Sequence, residues 1–278
     1  MRKPISAVII TRNEASHIAQ CIASVDFCDE VLVVDSGSTD ATMHIATARG
    51  ARVLHQRWLG FGPQKRFAAA QARHDWVLAL DADERVTPEL RASIEQVMRS
   101  DKDTGGTGDT AADRSQPAAW VMARRNRFMG RWLRFGEGYP DDCVRLFDRR
   151  RAQWSDDTVH ERVLTTGRID RLDGDLLHDS AESLDDYLAK QNLYSSLQAE
   201  AMLADGKSVS AVQVVASPLV RFLKFYLLRQ GFRDGLPGLV HIAIGCFASF
   251  AKYAKVACAQ RRARALAKRA DQASVSAS

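Results

Sequence analysis

The sequence lacks the cysteine pattern of a stapled or zinc-bound fold. Its five cysteines, Cys21, Cys28, Cys143, Cys246 and Cys258, are odd in number and none stand in CxxC spacing. This argues against a disulfide framework or a cysteine zinc site, and reduced thiols in a cytosolic protein are expected. Glycine-rich phosphate loops are also missing. Neither GxxxxGK followed by Ser or Thr nor GxGxxG occurs, so phosphate charge must be met by metal and side chains. No uninterrupted apolar run reaches the roughly 20 residues of a membrane span. The first ten residues hold a short apolar run that soon meets Arg12 and Glu14, so no signal peptide is expected. No internal repeat is visible.

What remains is ordinary in composition. With 46% hydrophobic and 26% charged residues, the 278-residue chain is neither disordered nor collagen-like. That length allows one large domain or two small ones, with a sizeable core. The net charge of +5 hides an asymmetry: residues 1–204 carry −4, with 27 basic and 31 acidic side chains. Residues 205–278 carry +9, with 12 basic and three acidic. We therefore expect an ordinary front domain over 1–204 and a basic, apolar helical extension over 205–278 ending in a disordered tail. Such a split points to an anionic partner for the extension.

Strand and helix patterns alternate through the first hundred residues. Apolar runs at 7–10, 31–34, 53–54 and 76–80 read as buried strands. Between them, Ile18, Cys21, Ile22 and Val25 recur at helical spacing, and helices are expected over 41–48 and 64–73. Gly50 marks a helix end, and Thr87-Pro88 is a cap and first turn. The alternation predicts an α/β fold with a mostly parallel sheet and helices on both faces. Residues 100–118 are Gly, Asp, Thr and Ser without periodicity, and read as a mobile surface loop. Further strands are expected at 120–122 and 144–147, then a long helix from Ser183 to Ala204, closed by Gly206.

Three polar clusters follow three of these strands. Asp81-Ala82-Asp83-Glu84 supplies hard oxygen ligands that suit Mg²⁺ or Mn²⁺ bridging to phosphate. The plain alternative is a solvated acidic loop. Asp35 stands where it could bond a ribose hydroxyl or a base edge, or else close an Asx-type turn with Gly37. Thr11-Arg12-Asn13-Glu14 is the third cluster, alternatively a helix cap. In a parallel sheet such strand ends share one rim, where ligands bind. Lys65 and Arg66 could add positive charge, or be solvated helix residues.

Together Thr11-Arg12-Asn13-Glu14, the 35–40 segment and Asp81-Ala82-Asp83-Glu84 resemble the donor-half signatures of inverting family 2 glycosyltransferases with the GT-A fold. Arg12 stands where that signature usually has Tyr. Residues 58–65, Tyr139-Pro140-Asp141, Arg145-Leu146-Phe147 and Val159-His160-Glu161 are similar to the branch containing lipopolysaccharide core β-1,4-glucosyltransferases. The similarity spans roughly residues 5–255.

The resemblance implies a GT-A-like sheet and transfer of a hexose, glucose first, from a nucleotide sugar such as UDP-glucose. Thr11, Asn13, Glu14 and Asp35 would hold the nucleoside. Asp81 would face the ribose or the metal, and Asp83 would ligate Mg²⁺ or Mn²⁺ beside the diphosphate. Glu161 would be the base for the acceptor hydroxyl, with Asp141 and Asp142 as rivals. His178 would be a further metal ligand or diphosphate contact, or a structural histidine. Arg145 would meet donor phosphate or a phosphorylated acceptor, or pair with a nearby Asp.

The extension interleaves aromatic and basic residues at helical spacing. Nucleic acid is not the expected partner, because stacking aromatics on a folded platform are missing. Part of the segment is expected to pack as core. The rest suits a helix lying on the anionic cytoplasmic face of a bacterial inner membrane, peripherally attached and sharing that surface with a lipid-linked saccharide acceptor. Three rivals stand beside inner-core glycosylation. They are transfer to polyprenyl phosphate or another glycan, a scaffold without turnover, and a sugar-1-phosphate nucleotidyltransferase, which usually wants a glycine in the 11–14 segment.

Overall fold

The computed structural model describes residues 2–99, 116–157, 161–179 and 183–276, with side chains to residue 266 in the final helix. The expected loop at 100–118 thus lies mostly outside the described residues, as do Val159 and His160. The chain divides into two compact units. The first comprises Met1–Arg127 and Pro140–Asp179, and the second Phe128–Tyr139 and Ser180–Ser278.

In the first unit the chain runs β1 (Ile5–Thr11), α1 (Ile18–Ser24), β2 (Glu30–Asp35), α2 (Thr42–Ala48) and β3 (Arg52–His55). It continues with α3 (Phe61–Ala70), β4 (Trp76–Asp81), β5 (Glu84–Val86), α4 (Pro88–Met98) and β6 (Ala119–Phe128). Strand β7 (Arg131–Trp132) belongs to the second unit. The first resumes with β8 (Asp141–Asp148), β9 (Ala152–Trp154), β10 (Val163–Thr165) and β11 (Ile169–His178). Strands follow the order β3-β2-β1-β4-β8-β6-β11-β5, while β9 and β10 form a separate ribbon. The half carrying β3, β2, β1 and β4 is parallel. Strand β8 enters antiparallel between β4 and β6, and β5 pairs antiparallel with β11, so the sheet is mixed, while β6 and β11 pair parallel.

The central strands are covered on both faces. Ile5, Ala7 and Ile9 face one core with Leu78, Leu80, Leu90 and Ile94. Val8 and Ile10 face the other with Val77, Ala79, Ala68 and Phe147. This period-2 division of near-continuous apolar runs is what strands buried on both faces require. Thr87 caps α4 as expected, its Oγ1 accepting from Leu90 N at 3.3 Å. Helix α3 begins at Phe61, earlier than the periodicity from residue 64 indicated. Gly62 explains the close approach there: a Cβ on it would lie 2.2 Å from the Ser155 carbonyl oxygen.

The second unit contains α5 (Leu184–Ala204), α6 (Ala211–Phe222), a π-helical turn (Leu223–Leu228), a 3₁₀ turn (Gly231–Asp234) and α7 (Gly235–Ser276). Ser210 and Gln213 form a reciprocal capping box at the start of α6. Asp234 is buried and accepts from the amides of Arg134 and Phe135 at 2.9 and 2.8 Å. No residue of α6 or the π turn is buried. By length and composition alone, Ala211–Leu228 and Gly231–Leu266 are long and apolar enough to cross a membrane. Arg221 and Lys224 break the first of these as an apolar run without breaking it as a helix.

Candidate active site

The parallel register brings the strand ends together. Thr11 pairs with Asp35 across β1 and β2, and Ile10 with Asp81 across β1 and β4. The three polar clusters therefore lie along one rim, as expected of strand ends in a parallel sheet.

The centre of the rim is an ion network. Lys65, on α3, is almost wholly buried, and its Nζ lies 3.0 Å from Asp81 Oδ1 and 2.8 Å from Glu161 Oε1. Arg145, on β8, donates to Asp81 Oδ2 at 2.9 Å and to Glu84 Oε1 at 2.7 Å. Glu84 is buried, and its Oε2 accepts from the Asp81 amide at 3.1 Å. Arg124 reaches Glu84 at 3.3 Å and Asp141 at 2.6 Å. Trp154 floors the cations, its ring centre 5.0 Å from Lys65 Nζ and 5.7 Å from the Arg145 guanidinium. Burial pushes the Asp81 carboxyl up, but Lys65 and Arg145 outweigh it and hold it far below the usual carboxylate range.

Beside the network, His178 Nε2 lies 3.2 Å from Asp83 Oδ2, and Nδ1 is 2.7 Å from Asn126 Oδ1. Burial raises the Asp83 carboxyl, yet the His178 hydrogen bond overrides it and the net shift is downward. Burial lowers His178, yet Asp83 overrides it and the net shift is upward. Burial raises the Glu14 carboxyl; the His17 hydrogen bond opposes this and the charge of Asp83 adds to it, leaving it above its usual range.

The nucleoside candidates are knitted to each other. Asn13 adopts a left-handed φ of 56°, donates its amide to Ser38 Oγ at 2.8 Å, and accepts from the Thr39 amide at 2.8 Å. The Glu14 amide donates to Thr42 Oγ1, and its carboxylate meets His17 at 2.8 Å. Asp35 is buried and accepts from the amides of Gly37 and Ser38 at 2.8 and 3.0 Å, and from the Ser38 hydroxyl. It closes the Asx-type turn weighed above, with Gly37 at φ 100°.

Thus Lys65, Asp81, Arg145 and Glu161 share one network, Asp83 and His178 form a pair, and Asp35 stands apart in its turn. Arg145 makes the carboxylate pairing that was one of its alternatives. Arg66 faces outward and pairs with Asp156. Both base rivals are held by guanidinium groups, Asp141 by Arg124 and Asp142 by Arg171. The sequence reasoning missed the roles of Glu84, Arg124, Asn126 and Trp154. Glu84 was within reach, as the third acid of a strand-end turn. The others come from strands distant in the chain.

A divalent cation can be tested against these donors. Among the described residues, no three His, Cys, Asp or Glu side chains converge as a metal cage. Asp83 and His178 offer one oxygen and one nitrogen facing each other, and Asp81 Oδ1 is buried with the Lys65 ammonium 3.0 Å away. Thr11 Oγ1 and Arg145 Nε are buried without partners. One or two protein donors, with phosphate oxygens and water completing the shell, is the arrangement Mg²⁺ takes. The donor set fits a cation shared with a phosphate ligand, not one held by protein alone.

An α/β sheet with a carboxylate-rich rim at its parallel strand ends has the layout of enzyme folds whose ligands bind beside those ends. The family follows from sequence: residues 6–152 match the model for glycosyl transferase family 2, and the chain belongs to that family. An uncharacterized glycosyltransferase of Rickettsia prowazekii is 34% identical over 91% of this chain and 87% of its own length. The lipopolysaccharide core biosynthesis glycosyltransferase LpsC of Rhizobium meliloti is 29% identical over 91% of this chain and 92% of its own. Among solved structures, Staphylococcus aureus TarS 1–349 in complex with UDP aligns at TM-score 0.45 and 16% identity, covering 94% of this chain and 92% of that one. Glucosyl-3-phosphoglycerate synthase from Mycobacterium tuberculosis, crystallised with Mn²⁺ and UDP, aligns at 0.32 and 27% identity, covering 45% and 44%.

Proposed function

We propose that this glycosyltransferase moves a hexose, glucose first, from a nucleotide sugar to the inner core of lipopolysaccharide, with inversion at the anomeric carbon. One observation carries the reading: a single buried ammonium, Lys65, ties Glu161 to Asp81 on the rim where the donor half of the sheet ends. The match to LpsC supports the acceptor class. UDP-glucose is the donor we would test before others.

In this mechanism Glu161 takes the proton from the acceptor hydroxyl as the oxygen attacks the anomeric carbon and the bond to the nucleoside diphosphate breaks. Lys65 holds Glu161 in place and keeps positive charge beside it. Thr11, Asn13 and Glu14 meet the nucleoside, with Asp35 bracing the loop that Asn13 grips. Asp83, with His178 or Asp81, would hold Mg²⁺ or Mn²⁺. When bound, that ion would neutralise charge on the diphosphate leaving group. The second unit is peripheral to the cytoplasmic face of the inner membrane, where its basic helices meet anionic lipid and a lipid-linked acceptor is within reach.

The test is UDP release and product formation with a panel of nucleotide sugars, heptose-containing core acceptors and polyprenyl phosphate, with and without EDTA. Transfer to the core acceptor, abolished by EDTA, is expected. Transfer to polyprenyl phosphate instead would replace the acceptor assignment. No UDP release with any pair would leave a binding scaffold. Glu161→Gln is expected to lower kcat by roughly 10²–10⁴-fold, the typical contribution of a general base, with UDP affinity unchanged.

A further inference from the structure

A groove of about 630 Å³ lies wholly within the second unit, between the loop preceding α6 and the middle of α7. Its lining includes Val214, Val215, Ala254, Ala257, Arg261 and Arg264. On α7 these positions recur every three or four residues, so they share one stripe of the helix. Along that stripe the lining passes from alanine to guanidinium over roughly 15 Å, at 1.5 Å of rise per residue.

Gln260 pre-forms the groove by gripping the neighbouring loop. Its Nε2 donates to the Lys207 carbonyl at 2.9 Å, and its Oε1 accepts from the Val209 amide at 3.2 Å. Among the described residues, neither Arg261 nor Arg264 has a hydrogen-bond or ion-pair partner. Acidic residues are scarce here, three against twelve basic ones over 205–278. Next to the groove, α6 also leaves Val212 and Leu219 exposed.

These features select the ligand chemistry. Two guanidinium forks suit a phosphate. A free phosphate would leave the apolar walls in water, and a plain hydrocarbon would leave both arginines unused. Among the described residues no aromatic side chain lines the groove, so a nucleic acid would find nothing there on which to stack its bases. We propose that the groove seats one anionic phospholipid, with its phosphate on Arg261 and Arg264 and an acyl chain along Val214, Val215, Ala254 and Ala257. This deepens, and rests on, the membrane attachment proposed above. It is independent of the transfer chemistry.

The experiment is flotation of the full-length protein with vesicles of phosphatidylcholine, alone or with phosphatidylglycerol. Arg261→Gln, Arg264→Gln and Arg262→Gln each remove one charge, but Arg262 does not line the groove. Losing Arg262 should cost about fivefold in partitioning, the worth of one basic residue near an anionic surface. Losing Arg261 or Arg264 should cost about tenfold more than that, because hydrogen bonds to phosphate go too. Equal effects from all three would overturn the groove. A second arm uses Cys258, an exposed thiol in the lining. Soluble short-chain phosphatidylglycerol should protect it from maleimide, located by mass spectrometry, and glycerol phosphate should not. Equal protection by glycerol phosphate would overturn the lipid assignment. If the wild type fails to float but short-chain lipid still protects Cys258, the attachment reading falls and the groove stands.

Discussion

Replacing Lys65 by Met tests the ion network at its hub. The two side chains are close in volume, so the change removes the charge while leaving the packing against Trp154 largely intact. Lys65 is 4% exposed, while its partners Asp81 and Glu161 are 25% and 17% exposed. Breaking a fully buried pair costs about 3–5 kcal/mol, because the surviving charge is left uncompensated. Here Arg145 still holds Asp81 at 2.9 Å, and partial exposure lets water reach Glu161, so the low end applies. We expect a loss of about 3 kcal/mol, or roughly 6–12 °C in Tm for a unit of this size. The sharper test is a double-mutant cycle with Glu161→Gln in urea, followed by tryptophan fluorescence. Once Lys65 is Met, neutralising Glu161 should recover stability, giving a coupling of at least about 1 kcal/mol. Additivity within about 0.5 kcal/mol would mean that Lys65 and Glu161 do not act on each other, and the mechanism would lose its anchor.

Other outcomes follow from the same geometry. The Asp83–His178 pair should stabilise most between about pH 4 and 6.5. Asp83 is shifted down, so its contribution is present above the ordinary carboxyl value and lost as pH falls through its own; His178 is shifted up, so its contribution is full below about 6.5 and lost as pH rises. The Tm difference between wild type and His178→Gln, measured without added metal, should peak in that window, and a flat profile would contradict the pairing. Gly62→Ala should cost about 1–3 kcal/mol by overpacking against the Ser155 carbonyl and should displace Lys65 with α3, lowering both Tm and transfer rate. Asp83→Ala should raise the Mn²⁺ concentration for half-maximal activity at least tenfold; an unchanged requirement would remove Asp83 from the metal assignment.

Local patterns carried much of this. The apolar runs ending at Ile10, Val34 and Leu80 are strands because they are β-rich and bounded by turn residues, and their parallel pairing follows from the helices between them. The cap at Thr87 was legible for the same reason. The site was legible where chemistry sits next to strands, as with Asp81 and Asp83. It was not legible where partners are distant: nothing near residues 124 or 145 says that their guanidinium groups will meet Glu84. Asp35 shows the ambiguity of a short acidic side chain before Gly, where a turn-closing carboxylate and a ligand-binding one share a spelling. The antiparallel entry of β8 depends on long-range pairing that periodicity does not encode.

That entry of β8 has a consequence for synthesis. Arg145 reaches the ribosome's exit 64 residues after Asp81, the carboxylate it will neutralise. A nascent chain halted before Asp141 can assemble β1 to β4, but Glu84 would lack Arg145 and have only Arg124 to meet it. Such an intermediate has reason to stay open at the Asp81–Glu84 turn, keeping its charges in water until β8 arrives to close the sheet.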